Sequence, residues 1–266
     1  MFFSVDEDGR VMSHEMLGST RVLGKHSKGA KSVRWSVDRN AVISASWAGE
    51  MSSFDPREKE PLVRFTKLKG KAYSLDVTVN RVAVACAGEW VQIFDLRNLA
   101  EPVENRKAYV KHMIRTLRCS PDGSLYALGT VEGRVGIEYF EDSSLQKRFS
   151  FKCHRKKDEA VEMVYPVNAI GFTSHGTFAT GGCDGVVAVW DSKSKKRVCM
   201  FAGYDNSVAS LSFSCDDSLL AVAASYTYEK GALKEGEEKE DAVYVRSLNA
   251  SDILPRTGKR KAQERQ

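Results

Sequence analysis

An all-β fold built from repeated four-stranded sheets is predicted by three features of the 266-residue sequence. Short alternating strands end in an aromatic or aliphatic pair followed by an acid, as in Ser53-Phe54-Asp55, Ile93-Phe94-Asp95 and Val189-Trp190-Asp191. The first two lie 40 residues apart, and Ser13-His14-Glu15 lies 40 residues before them. Glu138-Tyr139-Phe140 and Tyr244-Val245-Arg246 are weaker copies of the same marker.

Four of the marker strands follow a tight turn containing glycine, namely Asp8-Gly9, Ala48-Gly49, Glu132-Gly133 and Asp184-Gly185. Glycine supplies the positive φ that a hairpin turn demands. Ahead of each later turn runs a strand of small residues: Ser44-Ala45-Ser46, Ala83-Val84-Ala85, Tyr126-Ala127-Leu128, Phe178-Ala179-Thr180 and Leu220-Ala221-Val222. Small side chains suit a crowded interface between packed sheets. Before those comes a further strand, seen in Ser32–Ser36, Ala72–Asp76, Ile114–Arg118, Val167–Phe172 and Val208–Phe213.

Units of 40 to 45 residues with this order are the pattern of a WD40-type β-propeller. Five repeats end near residues 55, 95, 140, 191 and 247, after a partial repeat over residues 1–16. A propeller buries each blade only against its neighbours, so about five and a half repeats predict that an N-terminal part is missing or that the ring is smaller. The predicted domain is residues 1–248, with a polar insertion at residues 230–242 and a basic, disordered tail over residues 249–266.

Composition narrows the chemistry. No run approaches 18 apolar residues, and Met1-Phe2-Phe3 leads straight into Asp6, Glu7 and Asp8, so neither a membrane span nor a secretory leader is expected. The formal charge is +5, of which Arg256, Lys259, Arg260, Lys261 and Arg265 against Glu264 contribute +4, leaving about +1 for the body. The folded part is therefore not a basic, nucleic-acid-binding surface by composition. The tail fits either a solvated end or a nuclear-import address. Six cysteines are scattered without a C-x-x-C pair, which suggests neither zinc nor a disulfide framework but reduced thiols in a cytosolic or nuclear setting.

No nucleophile elbow, phosphate loop or metal-spaced histidine set occurs, so no catalytic residue, metal or cofactor is assigned, and binding is the expected activity. His26, His112 and His154 stand at repeat starts, where an imidazole serves hydrogen bonding within a sheet. Arg134 follows a turn at the start of a strand, where its guanidinium can meet a carboxylate or phosphate, or an acid of its own sheet. Lys152 and Arg155, with Lys156 and Lys157, place four cations beside His154, either as a phosphate reader or as a solvated loop. Trp47 precedes a turn, where its indole is either core or an exposed anchor.

The blocks EGRVGIEY (132–139), FKCHR (151–155), YPVNAI (165–170), TFATGGCDG (177–185), WDSKSKKR (190–197) and SLLAVAASYTYE (218–229) resemble the WD-repeat family of the spindle-assembly checkpoint, the "budding uninhibited by benzimidazole" propellers. The likeness runs from about Phe3 to Ser247. A sister family, the messenger-RNA-export propellers of the nuclear pore, shares FKCHR and is the alternative. The resemblance implies a seven-bladed ring whose first blade and part of the second are absent here. It also implies a non-enzymatic adaptor in the nucleus and at kinetochores, with a cytoplasmic pool. The implied partners are a GLEBS segment of a checkpoint kinase or pseudokinase and phosphorylated MELT-type motifs of a kinetochore scaffold. Arg134 and Trp47 match the GLEBS-contacting positions, and Lys152 and Arg155 the phosphothreonine-reading ones. Nucleic acid is implied as a ligand only on the export branch.

Overall fold

The structure, a computed structural model, describes residues 1–157, 161–233, 236 and 239–255. Its strands form antiparallel sheets in which sequence neighbours pair, and the chain divides into two units, Met1–Lys152 and Cys153–Gln266.

In the first unit, β1 (Phe2–Val5), β2 (Arg10–His14) and β3 (Thr20–Lys25) form a three-stranded sheet. Three four-stranded sheets follow. The first of them holds β4 (Ala30–Ser36), β5 (Ala41–Ser46), β6 (Glu50–Phe54) and β7 (Leu62–Lys67). The next holds β8 (Ala72–Thr78), β9 (Arg81–Cys86), β10 (Trp90–Asp95) and β11 (Glu104–Lys107). The last comprises β12 (Ile114–Cys119), β13 (Leu125–Thr130), β14 (Arg134–Tyr139) and β15 (Phe149–Lys152).

The second unit opens with a hairpin, β16 (Arg155–Lys157) and β17 (Glu162–Val164). A four-stranded sheet of β18 (Val167–Phe172), β19 (Thr177–Gly182), β20 (Val187–Asp191) and β21 (Lys196–Phe201) follows. A three-stranded sheet of β22 (Val208–Phe213), β23 (Leu219–Ala224) and β24 (Ala242–Ser247) comes next, then one helical turn, α1 (Ala250–Ile253).

The core lies between sheets. Ile43, Leu75, Val84 and Phe94 join the second and third sheets of the first unit, and Ala83, Ile93, Leu117 and Tyr126 join the third and fourth. In the second unit Ala179, Val189, Leu211 and Val222 do the same. All of these are buried, and each large aliphatic side chain so buried contributes about 1.5–3 kcal/mol. The small residues of the second strands serve this close approach: every residue of β5, β13 and β19 is buried.

The acids of the repeat marker sit where third strands end, and two are clamped by an arginine two residues on. Arg57 donates from Nε and Nη2 to Asp55, and Arg97 does likewise to Asp95. These hydrogen bonds hold both carboxyls at a pKa of about 2.

Three features differ from the sequence reading. The first sheet extends to Lys25 with three strands, beyond the partial repeat read over residues 1–16, and among the described residues the last sheet has three strands rather than four. Arg155, Lys156 and Lys157 form a strand, not a loop. Residues 249–254, assigned by sequence to the tail, carry α1, where the Asp252 carboxylate accepts the Asn249 N–H at 2.9 Å and Ile253 is buried. Residues 256–266, the basic part of that tail, lie outside the described residues, as do 234, 235, 237 and 238 of the polar insertion.

Candidate functional site

One backbone hydrogen bond recurs through both units. In the first, Trp47 N donates to Gly29 O at 2.9 Å, Ala87 N to Lys71 O at 2.8 Å and Val131 N to Met113 O at 3.1 Å. In the second, Cys183 N donates to Pro166 O at 3.0 Å and Ser225 N to Ser207 O at 2.9 Å. Each bond ties the end of a second strand to the residue just before that sheet's first strand. The turns between second and third strands and the starts of first strands thus share one end of each sheet.

Trp47 lies at this end of the sheet β4–β7. The residue is 49% exposed, so its indole is not a core side chain. Arg134 begins β14 after the turn at Gly133, whose φ of 68° falls in the left-handed region that favours glycine. Its Nε lies 3.3 Å from Glu132 Oε1, and its side chain is 30% exposed. Nη1 donates to Ser150 Oγ at a long 3.4 Å. Glu132 also lies 3.5 Å from His112 Nε2. The acid of Arg134's own hairpin therefore engages it, in one of the two ways the sequence left open.

Lys152, exposed at the end of β15, is the direct cross-strand partner of Arg134. The two cations thus occupy directly paired positions on adjacent strands, and Glu132 stands beside the arginine. Arg155 belongs to the second unit, where it donates from Nη1 to Glu162 Oε2 at 2.9 Å across the β16–β17 hairpin. Lys156 and Lys157 on the same strand are exposed. Glu162 was not paired with Arg155 by sequence reasoning, because the hairpin that joins them was not foreseen.

The histidines at repeat starts divide. His154 is buried, with Nδ1 2.9 Å from Asp184 Oδ1 and Nε2 2.8 Å from Thr180 Oγ1. The Trp190 indole N–H donates to the same Thr180 oxygen at 3.0 Å. With Nδ1–H given to the carboxylate, Nε2 accepts the Thr180 hydroxyl, which in turn accepts the indole. His26 repeats this in the first unit, 2.7 Å from Ser44 Oγ and 3.3 Å from Glu50 Oε2. Burial pulls its pKa down, with Glu50 opposing in part. His112 is exposed and joins no such chain. These networks brace the sheets and offer no reacting group to solvent.

Repeated antiparallel sheets with a buried His–Thr–Trp network define a WD-repeat protein of the β-propeller class. The WD domain, G-beta repeat family matches residues 147–191. The mitotic checkpoint protein BUB3.1 of Arabidopsis thaliana is 40% identical over 96% of this chain and 76% of its own length. The mitotic checkpoint protein bub3 of Dictyostelium discoideum is 34% identical over 95% of this chain and 77% of its own. The spindle assembly checkpoint protein bub3 of Schizosaccharomyces pombe is 32% identical over 88% and 71%. The chain belongs to the mitotic checkpoint BUB3 family of WD-repeat proteins. These names do not favour the messenger-RNA-export alternative.

Proposed function

We propose that the chain acts as a non-enzymatic adaptor of the spindle assembly checkpoint, in the nucleus and at kinetochores with a cytoplasmic pool. Trp47 and Arg134 receive an acidic GLEBS segment of a checkpoint kinase or pseudokinase, and Lys152 and Arg155 receive a phosphorylated MELT-type motif. The observation that carries this reading is the half-exposed Trp47 at the same end of its sheet as Arg134 is of its own, with Lys152 directly across from Arg134.

The bond between Arg134 and Glu132 does not oppose the reading. A partly exposed ion pair is worth about 0–1 kcal/mol, so a partner glutamate that brings a desolvated, well-aligned carboxylate can take its place. The exposed indole supplies the apolar contact that charge alone lacks, since aromatic anchors carry much of the energy of peptide docking. A segment disordered when free orders on binding, which suits recruitment that is switched by phosphorylation.

The test is calorimetry of the full chain with a GLEBS-type peptide, then with MELT-type peptides with and without phosphothreonine. Arg134→Glu and Trp47→Ala should each weaken the first interaction at least tenfold, and Lys152→Glu should remove the preference for the phosphorylated peptide. Equal binding of the two MELT-type peptides by the unaltered chain would refute the phosphate-reading half.

A further inference from the structure

The first strands begin at the turn end of the sheets, which bears Trp47 and Arg134, and finish at the opposite end, which the docking reading leaves unused. There the ends of β4, β8 and β12, all in the first unit, surround a cavity of about 260 Å³ lined by residues 35–38, 77–79 and 119–121. Trp35, Val37, Val79 and Pro121 reach solvent around it, and the Trp35 indole is braced by a stacked contact with Phe3 at 5.4 Å. Sites for drug-sized molecules run to roughly 300–1,000 Å³, so this volume suits one side chain rather than a whole cofactor.

A polar pair stands in this apolar setting. Ser36 closes β4 and is 1% exposed, yet its Oγ has no hydrogen-bond partner. The same serine recurs at the ends of two other first strands, as Ser120 and Ser214, each followed two residues on by an aspartate. Those hydroxyls are satisfied. Ser120 Oγ donates to Asp122 Oδ1 at 2.5 Å and Ser214 Oγ to Asp216 Oδ1 at 2.6 Å, and each carboxylate also accepts the backbone N–H of Ser124 or Ser218 at 3.1 Å. In those turns the left-handed residue is Gly123 or Asp217, three places after the serine, whereas in the β4–β5 turn it is Asn40, four places after Ser36. That turn closes through Asn40 N to Val37 O at 3.2 Å, and Ser36 stays in the ladder opposite Ala41.

Ser36 and the exposed Asp38 thus make no bond to each other, and among the described residues the Asp38 carboxylate has neither a hydrogen bond nor an ion pair. The nearby arginines are committed: Arg34 donates to Asp76 Oδ1 at 2.7 Å, Arg39 to Leu96 O, and Arg118 to Leu117 O at 3.3 Å. What remains is a buried hydroxyl able to accept, a carboxylate at the rim and an indole, groups that receive a partly desolvated cation.

We propose that this cavity seats a basic side chain, lysine or arginine, of a partner-protein segment, with its aliphatic stem against Val37, Val77 and Val79 and its charged head between Ser36 Oγ and Asp38. The stem buries its methylenes on the apolar wall, and the head gains a charge-assisted hydrogen bond from the carboxylate. An acidic side chain would be repelled by Asp38, and a neutral one would leave it unanswered. The seat stands whether or not a GLEBS segment docks at the turn end.

The full chain carrying a fluorinated tryptophan reports on the cavity by ¹⁹F NMR, the Trp35 signal being assigned by its loss in Trp35→Phe. Nα-acetyl-lysine methylamide, Nα-acetyl-arginine methylamide and the neutral Nα-acetyl-norleucine methylamide are titrated to roughly 50 mM. At least one basic amide should shift the Trp35 signal saturably and bind about tenfold more tightly than the norleucine amide. Tighter binding of the lysine amide identifies an ammonium seat, and of the arginine amide a guanidinium seat. Asp38→Asn should weaken the better basic amide about tenfold, whereas Glu7→Gln, which removes the same charge at the turn end, should not. Ser36→Ala should weaken it several-fold and leave the urea midpoint unchanged or raised, since the hydroxyl it removes has no partner within the fold. Equal binding of the norleucine and basic amides, an undiminished affinity in Asp38→Asn, or a Trp35 signal that none of the three amides moves would each show that no cation seat exists.

Discussion

Gly182 meets the ring of His154 so closely that a Cβ built on it would lie 2.5 Å from both Cγ and Nδ1 of the imidazole, and 2.7 Å from Asp184 Oδ1. The buried histidine therefore occupies the space a side chain would need. Gly182→Ala should force the ring off Asp184 or Thr180 and destabilise the second unit by about 1–3 kcal/mol, the usual cost of overpacking. Urea unfolding of the variant against the unaltered chain measures this, and an unchanged midpoint would show that the ring yields freely.

His26 predicts a dependence on pH. Its folded-state pKa is lowered, chiefly by burial, so the unfolded chain takes up this proton first as pH falls. Stability assigned to His26 is then complete above the ordinary histidine value of about 6.5 and is lost progressively as pH drops below it. Chemical unfolding between pH 7.5 and 5.5 should show a shallower fall in stability for His26→Gln than for the unaltered chain, even if the variant starts lower for want of its bond to Ser44.

Asp76 is almost wholly buried, accepts the Cys119 N–H at 2.8 Å and pairs with Arg34 Nε at 2.7 Å. Burial raises its pKa in spite of Arg34, so the charged form already sits at a cost that the guanidinium offsets. Arg34→Met leaves the carboxylate without its counter-ion and should cost about 1–3 kcal/mol at pH 7, tempered by the partial exposure of Arg34. The deficit should shrink as pH falls through the raised pKa, because the folded state then holds the proton more tightly than the unfolded chain. Asp76→Asn in the same background should recover part of the loss, which unfolding at two pH values would reveal.

The parts of the fold legible in the sequence are those set by local chemistry. Turn glycines such as Gly133 and the small residues of β5 and β13 state their role wherever they stand, since φ and packing distance are properties of a few residues. The hairpin of Arg155–Lys157 with Glu162–Val164 was not legible, because a strand of three cations has no apolar alternation to announce it. The helical turn at Ala250 did carry a signal, Asn249 with an acid three residues on, that a reading of the segment as charged tail passed over. At the candidate site, the pairing of Glu132 with Arg134 follows from their spacing across one turn, but the exposure of Trp47 depends on what packs around it, which no local pattern encodes.

Glu132 supplies the sharpest test of how the site is held before a partner arrives. Its carboxylate stands 3.3 Å from Arg134 Nε and 3.5 Å from His112 Nε2, so it partly occupies the cation that an incoming glutamate would need. The competition is asymmetric: the internal pair is partly exposed and screened, whereas a docked carboxylate is shielded by its own peptide. Glu132→Gln should therefore raise the affinity for an acidic GLEBS-type peptide by about two- to fivefold, the equivalent of removing a weak surface ion pair. Stability should change by no more than about 0.5 kcal/mol, since the pair contributes little to the fold. The gain should vanish in Arg134→Gln, where no guanidinium remains to be released, and this double-variant comparison by calorimetry separates a freed arginine from a general drop in negative charge. An affinity that falls in Glu132→Gln would mean that the acid instead orients Arg134 for its ligand, and the competitive account would have to be abandoned.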